Sequence, residues 1–331
     1  MSGKHTNIAL FVPHAGCPHQ CSFCNQKSIS GSVKPLEPAE IDRAVEVALA
    51  GSGKGMEIAF FGGSFTAIEQ SYMRSLLERA SKYIDNDRIT GIRISTRPDA
   101  VDDEICKTLK FYGVTAAELG AQSMDDEVLR LNRRGHTAQD VARASELIKA
   151  AGISLGLQMM TGLYGGSREE SLYTAQRLIE LEPETMRIYP TVVLEGTPLG
   201  ELYKAGKYVP QSLDEAVDLC AGLIPMFHSR GIKVIRLGLH SGGGVEEGYL
   251  AGPYHPSFRE LCDGEIYFKN ILELIKTTGV PKGRLELAAA PEYLSQLKGQ
   301  KKKNIKRLED LGYECTVSAL PGLGRYEVRL N

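Results

Sequence analysis

Three cysteines lie close together near the start of the chain, at Cys17, Cys21 and Cys24. Their C-x3-C-x2-C spacing follows an apolar run, Ile8 to Val12, whose composition favours a β-strand. Thiolates are the preferred ligands of iron–sulfur clusters, and most such clusters are held by four of them. Three close cysteines without an evident fourth would leave one iron open to a small chelating ligand. The spacing therefore predicts a catalytic cluster rather than an electron carrier.

A zinc ion is the main alternative to an iron–sulfur cluster at this loop. A structural zinc site needs four protein ligands, and His14 or His19 would complete a Cys3His set. A disulfide is disfavoured because nothing in the chain indicates an oxidising compartment. The other cysteines stand singly and are expected to be buried core residues: Cys106, Cys220, Cys262 and Cys315.

The cysteine loop resembles the cluster loop of radical S-adenosylmethionine (SAM) enzymes. The resemblance implies that Cys17, Cys21 and Cys24 bind a [4Fe-4S] cluster and that SAM chelates its open iron. It also implies an external reducing electron donor, whose electron breaks SAM into methionine and a 5′-deoxyadenosyl radical that takes hydrogen from a substrate. Phe11 and Phe23 match family positions beside SAM.

Further residues of this resemblance follow the predicted strands. Gly62 and Gly63 match a glycine pair that contacts the SAM amino group, and Ser64 stands where the family often has Glu. Glycines after a strand let the backbone approach a ligand closely. Arg134 matches an arginine that pairs with the SAM carboxylate, and its neighbour Arg133 is a rival for that role. The resemblance places three polar side chains near the SAM ribose: Ser95, Gln122 and Gln158.

Two more polar residues at predicted strand ends are candidates for an open cleft. Arg97 and Glu118 would each need a partner inside a core, because burying an unpaired charge is costly. Their positions therefore favour the barrel mouth over the protein interior.

The elements that must position these residues alternate between strand-like and helix-like runs. This order is typical of βαβ crossovers and a parallel sheet, and leaves a barrel and an open doubly wound sheet as alternatives. The resemblance implies an α/β fold: a partial, TIM-like (β/α)6 barrel with one extra edge strand. Function in such barrels collects at the carboxyl ends of the strands. The predicted strands are 8–12, 57–61, 91–96, 116–119, 154–160, 186–193 and 233–239.

We expect two domains, a barrel with the cluster and SAM site in residues 1–245 and a small α+β extension in residues 246–331. The extension is predicted to contain helices at 265–278 and 291–311, and strands at 284–290, 313–318 and 325–330. Its basic run from Lys298 to Arg307 would add salt-sensitive affinity for RNA, yet a solvated helix face is favoured because few aromatics interleave. Residues 252–258 form a lid over the barrel or a plain linker.

Four motifs together resemble the radical SAM half of the Elongator catalytic subunit family, which modifies the wobble uridine of tRNA with acetyl-CoA. Coproporphyrinogen-oxidase-like enzymes are the next closest branch. The resemblance covers roughly residues 5–245, and no segment resembles the acetyltransferase domain. It therefore implies radical chemistry on an RNA base or a small metabolite, with RNA slightly ahead. The motifs are Ser-Thr-Arg-Pro-Asp (95–99), Gly-Ala-Gln-Ser (120–123), Asn-Arg-Arg-Gly-His-Thr (132–137) and Ile-Tyr-Pro-Thr-Val (188–192) with a downstream Gly-Thr-Pro-Leu (196–199).

The composition is that of a soluble globular protein, with 331 residues, 42% of them hydrophobic and 24% charged. A net charge of −2 gives no global basic field for nucleic acid. The first apolar run is too short for a signal peptide, and no stretch approaches the ~20 apolar residues of a membrane span. We therefore expect a cytoplasmic protein without a membrane partner. Two other functions remain open: a non-catalytic RNA-binding module with a structural metal, and a porphyrin-directed radical SAM decarboxylase.

Overall fold

A parallel sheet of seven strands forms the main body of the protein. The computed structural model describes residues 6–12, 20–24, 34–51, 53–85, 87–239 and 244–330. Sequential strands are neighbours in the sheet, as βαβ crossovers require. This order confirms the predicted partial barrel with a seventh strand at its edge. The strands are β1 (Asn7–Val12), β2 (Met56–Gly62), β3 (Ile89–Thr96), β4 (Val114–Gln122), β5 (Ser154–Thr161), β6 (Thr185–Pro190) and, after a short β7 (Val193–Leu194) outside the sheet, β8 (Lys233–Leu237).

Helices alternate with these strands, and most begin at a side chain that caps the first turn. Asp102, Asp125 and Ser167 each accept a backbone N–H of the helix they precede. Thr137 does the same for the helix over Ala138–Ala150. The helices are α1 (Pro38–Ala50), α2 (Gln70–Ser81), α3 (Asp103–Phe111), α4 (Asp126–Leu131), α5 (Ala138–Ala150), α6 (Arg168–Glu180), α7 (Pro198–Lys204) and α8 (Leu213–His228).

Each strand turns alternate side chains to opposite faces of the sheet. On β2 and β3, Ile58, Phe60 and Ile92 belong to the apolar cluster that packs under the helices. The intervening positions, such as Glu57 and Arg93, point to the opposite, concave face. The concave face is therefore partly polar, although its residues lie on buried strands.

The remaining chain forms a second, smaller sheet beside the first. Its strand order is β11-β10-β12, with the first pair parallel and the second antiparallel. One long helix contributes to the apolar clusters of both sheets, through Cys262 and Ile266 on one side and Tyr267 and Phe268 on the other. The elements are α9 (Gly244–Gly248), β9 (Tyr249–Ala251), α10 (Phe258–Thr278), β10 (Gly283–Ala289), α11 (Leu294–Lys298), α12 (Lys303–Asp310), β11 (Tyr313–Ala319) and β12 (Arg329–Leu330).

Two predictions for this part of the chain are wrong in detail. The expected helix over 291–311 is broken because Lys301 and Lys302 have positive φ. Just after the break, the buried Asn304 side chain donates to the carbonyls of Gly264 and Leu297. The expected strand over 325–330 shortens to its last residues, since Tyr326 is held by α10 and cannot join the ladder. Residues 252–258 connect β9 to α10.

Candidate active site at the carboxyl edge of the sheet

The described part of the cysteine loop, residues 20–24, lies near the carboxyl end of β4, where Asn132 and Arg134 contact it. Cys21 is buried and Cys24 is half-buried. The Cys24 N–H donates to the Cys21 carbonyl at 3.2 Å, which makes a tight turn. Cys17, His14 and His19 lie outside the described residues. The three-cysteine ligand set therefore stays a prediction.

Asn132, directly after α4, fastens this turn to the body of the protein. Its side-chain oxygen accepts the Ser22 hydroxyl at 2.7 Å, and its carbonyl accepts the Ser22 N–H at 3.0 Å. Its amide group donates to the carbonyls of Val128 and Tyr164, each at 2.8 Å. No role was predicted for Asn132 from the sequence. The available signal was a polar residue inside the motif that carries Arg134, but its burial depends on partners distant in sequence.

Arg134 reaches from the same segment to the cysteine loop. Its Nη1 donates to the Cys21 sulfur at 3.2 Å, and its Nη2 donates to the Gly120 carbonyl at 2.7 Å. The buried Nε has no hydrogen-bond partner among the described residues. Arg133, the rival in sequence, is exposed. The geometry therefore favours Arg134 as the guanidinium that faces the predicted cluster.

Arg97 and His136 pack beside Arg134 and are also buried. Arg97 pairs with Asp99 at 2.9 and 3.0 Å and donates to the Arg134 carbonyl. Arg97 is thus a buried support rather than the open cleft residue that was predicted. The His136 Nε2 lies 3.1 Å from the Ala121 carbonyl. Burial, helped by the Arg134 charge, lowers the pKa of His136 to about 4, so the ring is neutral at pH 7.

The glycine pair after β2 lies against the end of β1. Gly62 has a φ of +125°, and a Cβ there would lie 2.2 Å from the Val12 carbonyl oxygen and 3.2 Å from Cε1 of Phe11. No other residue type fits this position without a shift of the backbone. Ser64 is buried, and its hydroxyl bonds Thr96 at 2.8 Å. The Ser64 side chain therefore joins the ends of β2 and β3.

The predicted ribose contacts share the concave face with Phe11. Gln122 sits at a β-bulge in β4 with a φ of +68°, and bulges re-aim side chains in this way. The Gln158 amide donates to the Gln122 side-chain oxygen at 3.3 Å. Ser95 is half-buried at the end of β3, and Phe23 packs in an apolar cluster with Met160. The fold thus gathers Phe11, Gly62, Ser95, Gln122 and Gln158 at one edge of the sheet.

A layer of paired charges lies on the concave face nearer the middle of the strands. Arg93 binds Glu57 at 2.8 Å and Glu118 at 3.2 Å. Glu118 also binds Arg187, whose Nη2 lies 2.8 Å from Oε1. Glu118 is therefore enclosed by two guanidinium groups, which corrects its prediction as an open cleft residue. We call Glu57, Arg93, Glu118 and Arg187 the interior charge layer; the Arg187 guanidinium lies 5.3 Å from the centre of the Phe61 ring.

The sequence pattern of the radical SAM superfamily matches residues 11–178, and that of the radical SAM C-terminal domain matches residues 183–267. The chain belongs to the radical SAM superfamily. This membership confirms the prediction that the protein is an enzyme. The matched span contains Cys17, Cys21, Cys24 and Arg134, together with the glycine pair.

Among curated proteins, this radical SAM chain is similar to the tRNA uridine(34) acetyltransferase of Methanocaldococcus infernus, with 28% identity over 64% of the chain and 48% of that protein. It is also similar to human Elongator complex protein 3, with 29% identity over 52% of the chain and 35% of that protein. The chain thus spans about half the length of these relatives or less. The likeness confirms the predicted resemblance to the Elongator catalytic subunit.

A solved structure of archaeal Elp3 from Methanocaldococcus infernus, lacking its N-terminus, has the same fold. Its TM-score is 0.65 at 19% identity, and the match covers 86% of this chain and 66% of that one. The match supports the partial-barrel architecture. Within the residues that the structure describes, no helix is both long and apolar enough to cross a bilayer.

The residues at the carboxyl edge fit the cofactors of the radical SAM superfamily. The buried, unpartnered Nε of Arg134 lies on the same guanidinium that donates to the Cys21 sulfur. A carboxylate bound there would satisfy that nitrogen through a charge-assisted hydrogen bond. The glycine pair lies at the same edge of the sheet, where Gly62 packs against the Val12 carbonyl and the Phe11 ring of β1.

The basic run of the small sheet is partly neutralised by its neighbours. Lys303 binds Asp214 at 3.0 Å, and Arg307 binds Glu265 while lying over the Phe268 ring at 3.4 Å. Lys301 and Lys302 are exposed. A role of this basic run in RNA binding stays a prediction.

Proposed function

We propose that this chain binds a [4Fe-4S] cluster through Cys17, Cys21 and Cys24 and binds SAM at the carboxyl edge of the sheet. The observation that carries the proposal is the contact of Arg134 Nη1 with the Cys21 sulfur at 3.2 Å, beside an unpartnered Nε on the same side chain. A guanidinium in that position can hold a thiolate ligand of the cluster and the SAM carboxylate together.

The remaining site residues have separate roles in this proposal. The backbone of Gly62 and Gly63 receives the SAM amino group, and Ser64 fixes that turn to β3 through Thr96. Ser95, Gln122 and Gln158 would contact the ribose of bound SAM. Phe11 and Phe23 flank the cofactor.

When bound together and reduced by an external electron donor, the cluster and SAM supply a 5′-deoxyadenosyl radical. The chain contributes position and protection. Asn132 fixes the cysteine turn, and the neutral His136 adds no second charge next to Arg134. Phe11 and Phe61 are neighbours across the β1–β2 pair and exclude water from the face where a substrate would react.

We propose an RNA base, in tRNA, as the group that gives up hydrogen. The similarity to tRNA uridine(34) acetyltransferases supports this choice. A small metabolite is the other outcome. The proposal includes the division into a barrel of residues 1–245 and an extension of residues 246–331, and a cytoplasmic location.

Transfer of an isotope tests the substrate directly. The reconstituted, dithionite-reduced protein is incubated anaerobically with SAM and perdeuterated tRNA, and 5′-deoxyadenosine is analysed by mass spectrometry. Hydrogen abstraction from RNA moves one deuterium into that product. A parallel reaction contains deuterated small metabolites, extracted from the cells that supplied the labelled tRNA, in place of the tRNA. If deuterium reaches 5′-deoxyadenosine only from the metabolites, the substrate is a small molecule and not RNA, and the proposed radical chemistry still holds.

A further inference from the structure

Arg236, on β8, lies next to the interior charge layer. It is the register partner of Arg187 across the β6–β8 pair, where a bulge between Met186 and Arg187 shifts the ladder. Both side chains therefore belong to the same face of the sheet. Two guanidinium groups thus come together on adjacent strands.

The layer itself has no spare negative charge for Arg236. Glu57 is shared by Arg93 and the Thr115 hydroxyl, the latter at 2.6 Å. Glu118 is shared by Arg93 and Arg187. Two carboxylates therefore balance two guanidinium groups before Arg236 is counted.

Arg236 has an incomplete set of partners. Its Nε donates to the Gly238 carbonyl at 3.1 Å, and neither terminal nitrogen has a hydrogen-bond partner among the described residues. No carboxylate of those residues pairs with it. The side chain is half-buried, and burial lowers the pKa of its guanidinium; the Arg187 charge lowers it further, whereas Tyr189 opposes the shift. An anion bound at the terminal nitrogens of Arg236 would offset the repulsion between this guanidinium and that of Arg187.

The position of Arg236 connects it to the reacting face. Arg187 lies between Arg236 and the Phe61 ring, on the concave face that also carries Phe11. A substrate held near those aromatic rings would lie on the face to which Arg187 and Arg236 belong. The forked guanidinium is suited to phosphate and carboxylate oxygens.

We propose that Arg236 is the anchor of an anion subsite that takes an oxyanion of the substrate, a phosphate when the substrate is RNA. The RNA part rests on the proposed function; the subsite itself rests on the charges of the sheet. Arg187 is already paired with Glu118, so it attracts the anion through its charge but does not make a second bidentate contact.

The first test measures the chemical reactivity of Arg236 in the reconstituted full chain. The arginine reagent 4-hydroxyphenylglyoxal is applied with and without inorganic phosphate, and labelled peptides are quantified by mass spectrometry. Phosphate is expected to slow the labelling of Arg236 at least threefold and to leave the exposed Arg133 unchanged. Equal labelling of Arg236 with and without phosphate overturns the subsite.

The second test identifies the source of the phosphate. A fluorescent anticodon stem-loop RNA is titrated into the wild type, Arg236→Gln, Arg236→Lys and the surface control Arg133→Gln. We expect a roughly tenfold weaker affinity for Arg236→Gln, with a log–log salt slope smaller by about 0.7–0.9, since one phosphate contact is lost. Arg236→Lys recovers part of the affinity, and Arg133→Gln matches the wild type.

The outcomes separate the two proposals. If the wild type does not bind RNA but phosphate still protects Arg236, the RNA substrate is wrong and the subsite serves a small anionic substrate. If the wild type binds RNA and Arg236→Gln binds equally well with the same salt slope, the anion subsite is wrong. Thermal unfolding of each variant verifies that the fold is retained.

Discussion

Two clusters of charged side chains, each with a buried residue at its centre, differ in how completely their polar atoms are paired. One is the set around Asp263 in α10, which accepts from Arg259 at 2.9 Å, Tyr326 at 2.6 Å and Arg325 at 2.8 Å. The other is the set of Arg97, Arg134 and His136 at the carboxyl edge. Each of these three side chains keeps one buried nitrogen without a partner among the described residues.

The difference between the clusters separates a structural role from a binding role. Asp263 and its three donors join α10 to the chain before β12, and the Asp263 carboxylate already accepts three hydrogen bonds within the protein. Unpaired buried nitrogens are costly, so a protein keeps them where a ligand or an internal rearrangement completes the set. The carboxyl edge is therefore where binding is expected to stabilise the protein, and the Asp263 set is where mutation is expected to destabilise it.

The largest expected effect comes from the cysteine loop. Cys21→Ala removes a proposed cluster ligand, and we expect cluster content and 5′-deoxyadenosine formation to fall to background. Cys315→Ser, in the small sheet, is the matched control and should retain both. Iron analysis and mass spectrometry of the reaction give the readouts. A Cys21→Ala protein with full iron content would remove this residue from the ligand set.

Stability against pH probes the carboxyl edge without any cofactor. His136 has a pKa of about 4 in the fold against 6.5 in an unfolded chain, so between these values only the unfolded chain takes a proton. The free energy of unfolding therefore falls as pH drops from 6.5 to 4, by about 3 kcal/mol from this ring. Urea unfolding of wild type and His136→Gln should show that the variant lacks this part of the slope. Parallel curves for the two proteins would contradict the assignment.

Arg134 and Arg133 form a natural pair for testing SAM affinity. Arg134→Gln removes a charge-assisted contact worth about 2 kcal/mol, so we expect SAM to bind roughly 30-fold more weakly. The cluster potential should also become more negative, because a hydrogen bond to a ligand sulfur is lost. Arg133→Gln should leave affinity and potential at their wild-type values. Equal affinities for the two variants would assign the guanidinium a purely structural role.

The smallest expected effect belongs to the Asp263 set. Asp263→Asn leaves Arg259 and Arg325 without their carboxylate, and both side chains are partly exposed. We expect a loss of about 1.5 kcal/mol in the free energy of unfolding, discounted for that exposure. SAM affinity should stay unchanged. A variant of wild-type stability with impaired SAM binding would reverse the roles given to the two clusters.

The sequence predicted the seven strands because each is a short apolar run bounded by helix caps and glycines. Arg134 and Gln158 were predicted as SAM contacts through their motif neighbours, and those roles stay predictions. Asn132 and Thr96 were missed, since the contacts of Asn132 with Ser22 and of Thr96 with Ser64 join residues more than 30 positions apart. Arg97 and Glu118 were placed in the cleft because their neutralising partners could not be read from one sequence.

The central claim is that the chain binds a cluster with one open iron and cleaves SAM there. The decisive measurement is anaerobic reconstitution with iron and sulfide, followed by dithionite reduction with SAM and quantification of 5′-deoxyadenosine. We predict about four irons per chain, as a [4Fe-4S] cluster requires, and formation of 5′-deoxyadenosine. A protein that retains about one zinc per chain, as a closed structural site would, and yields no 5′-deoxyadenosine would contradict the account.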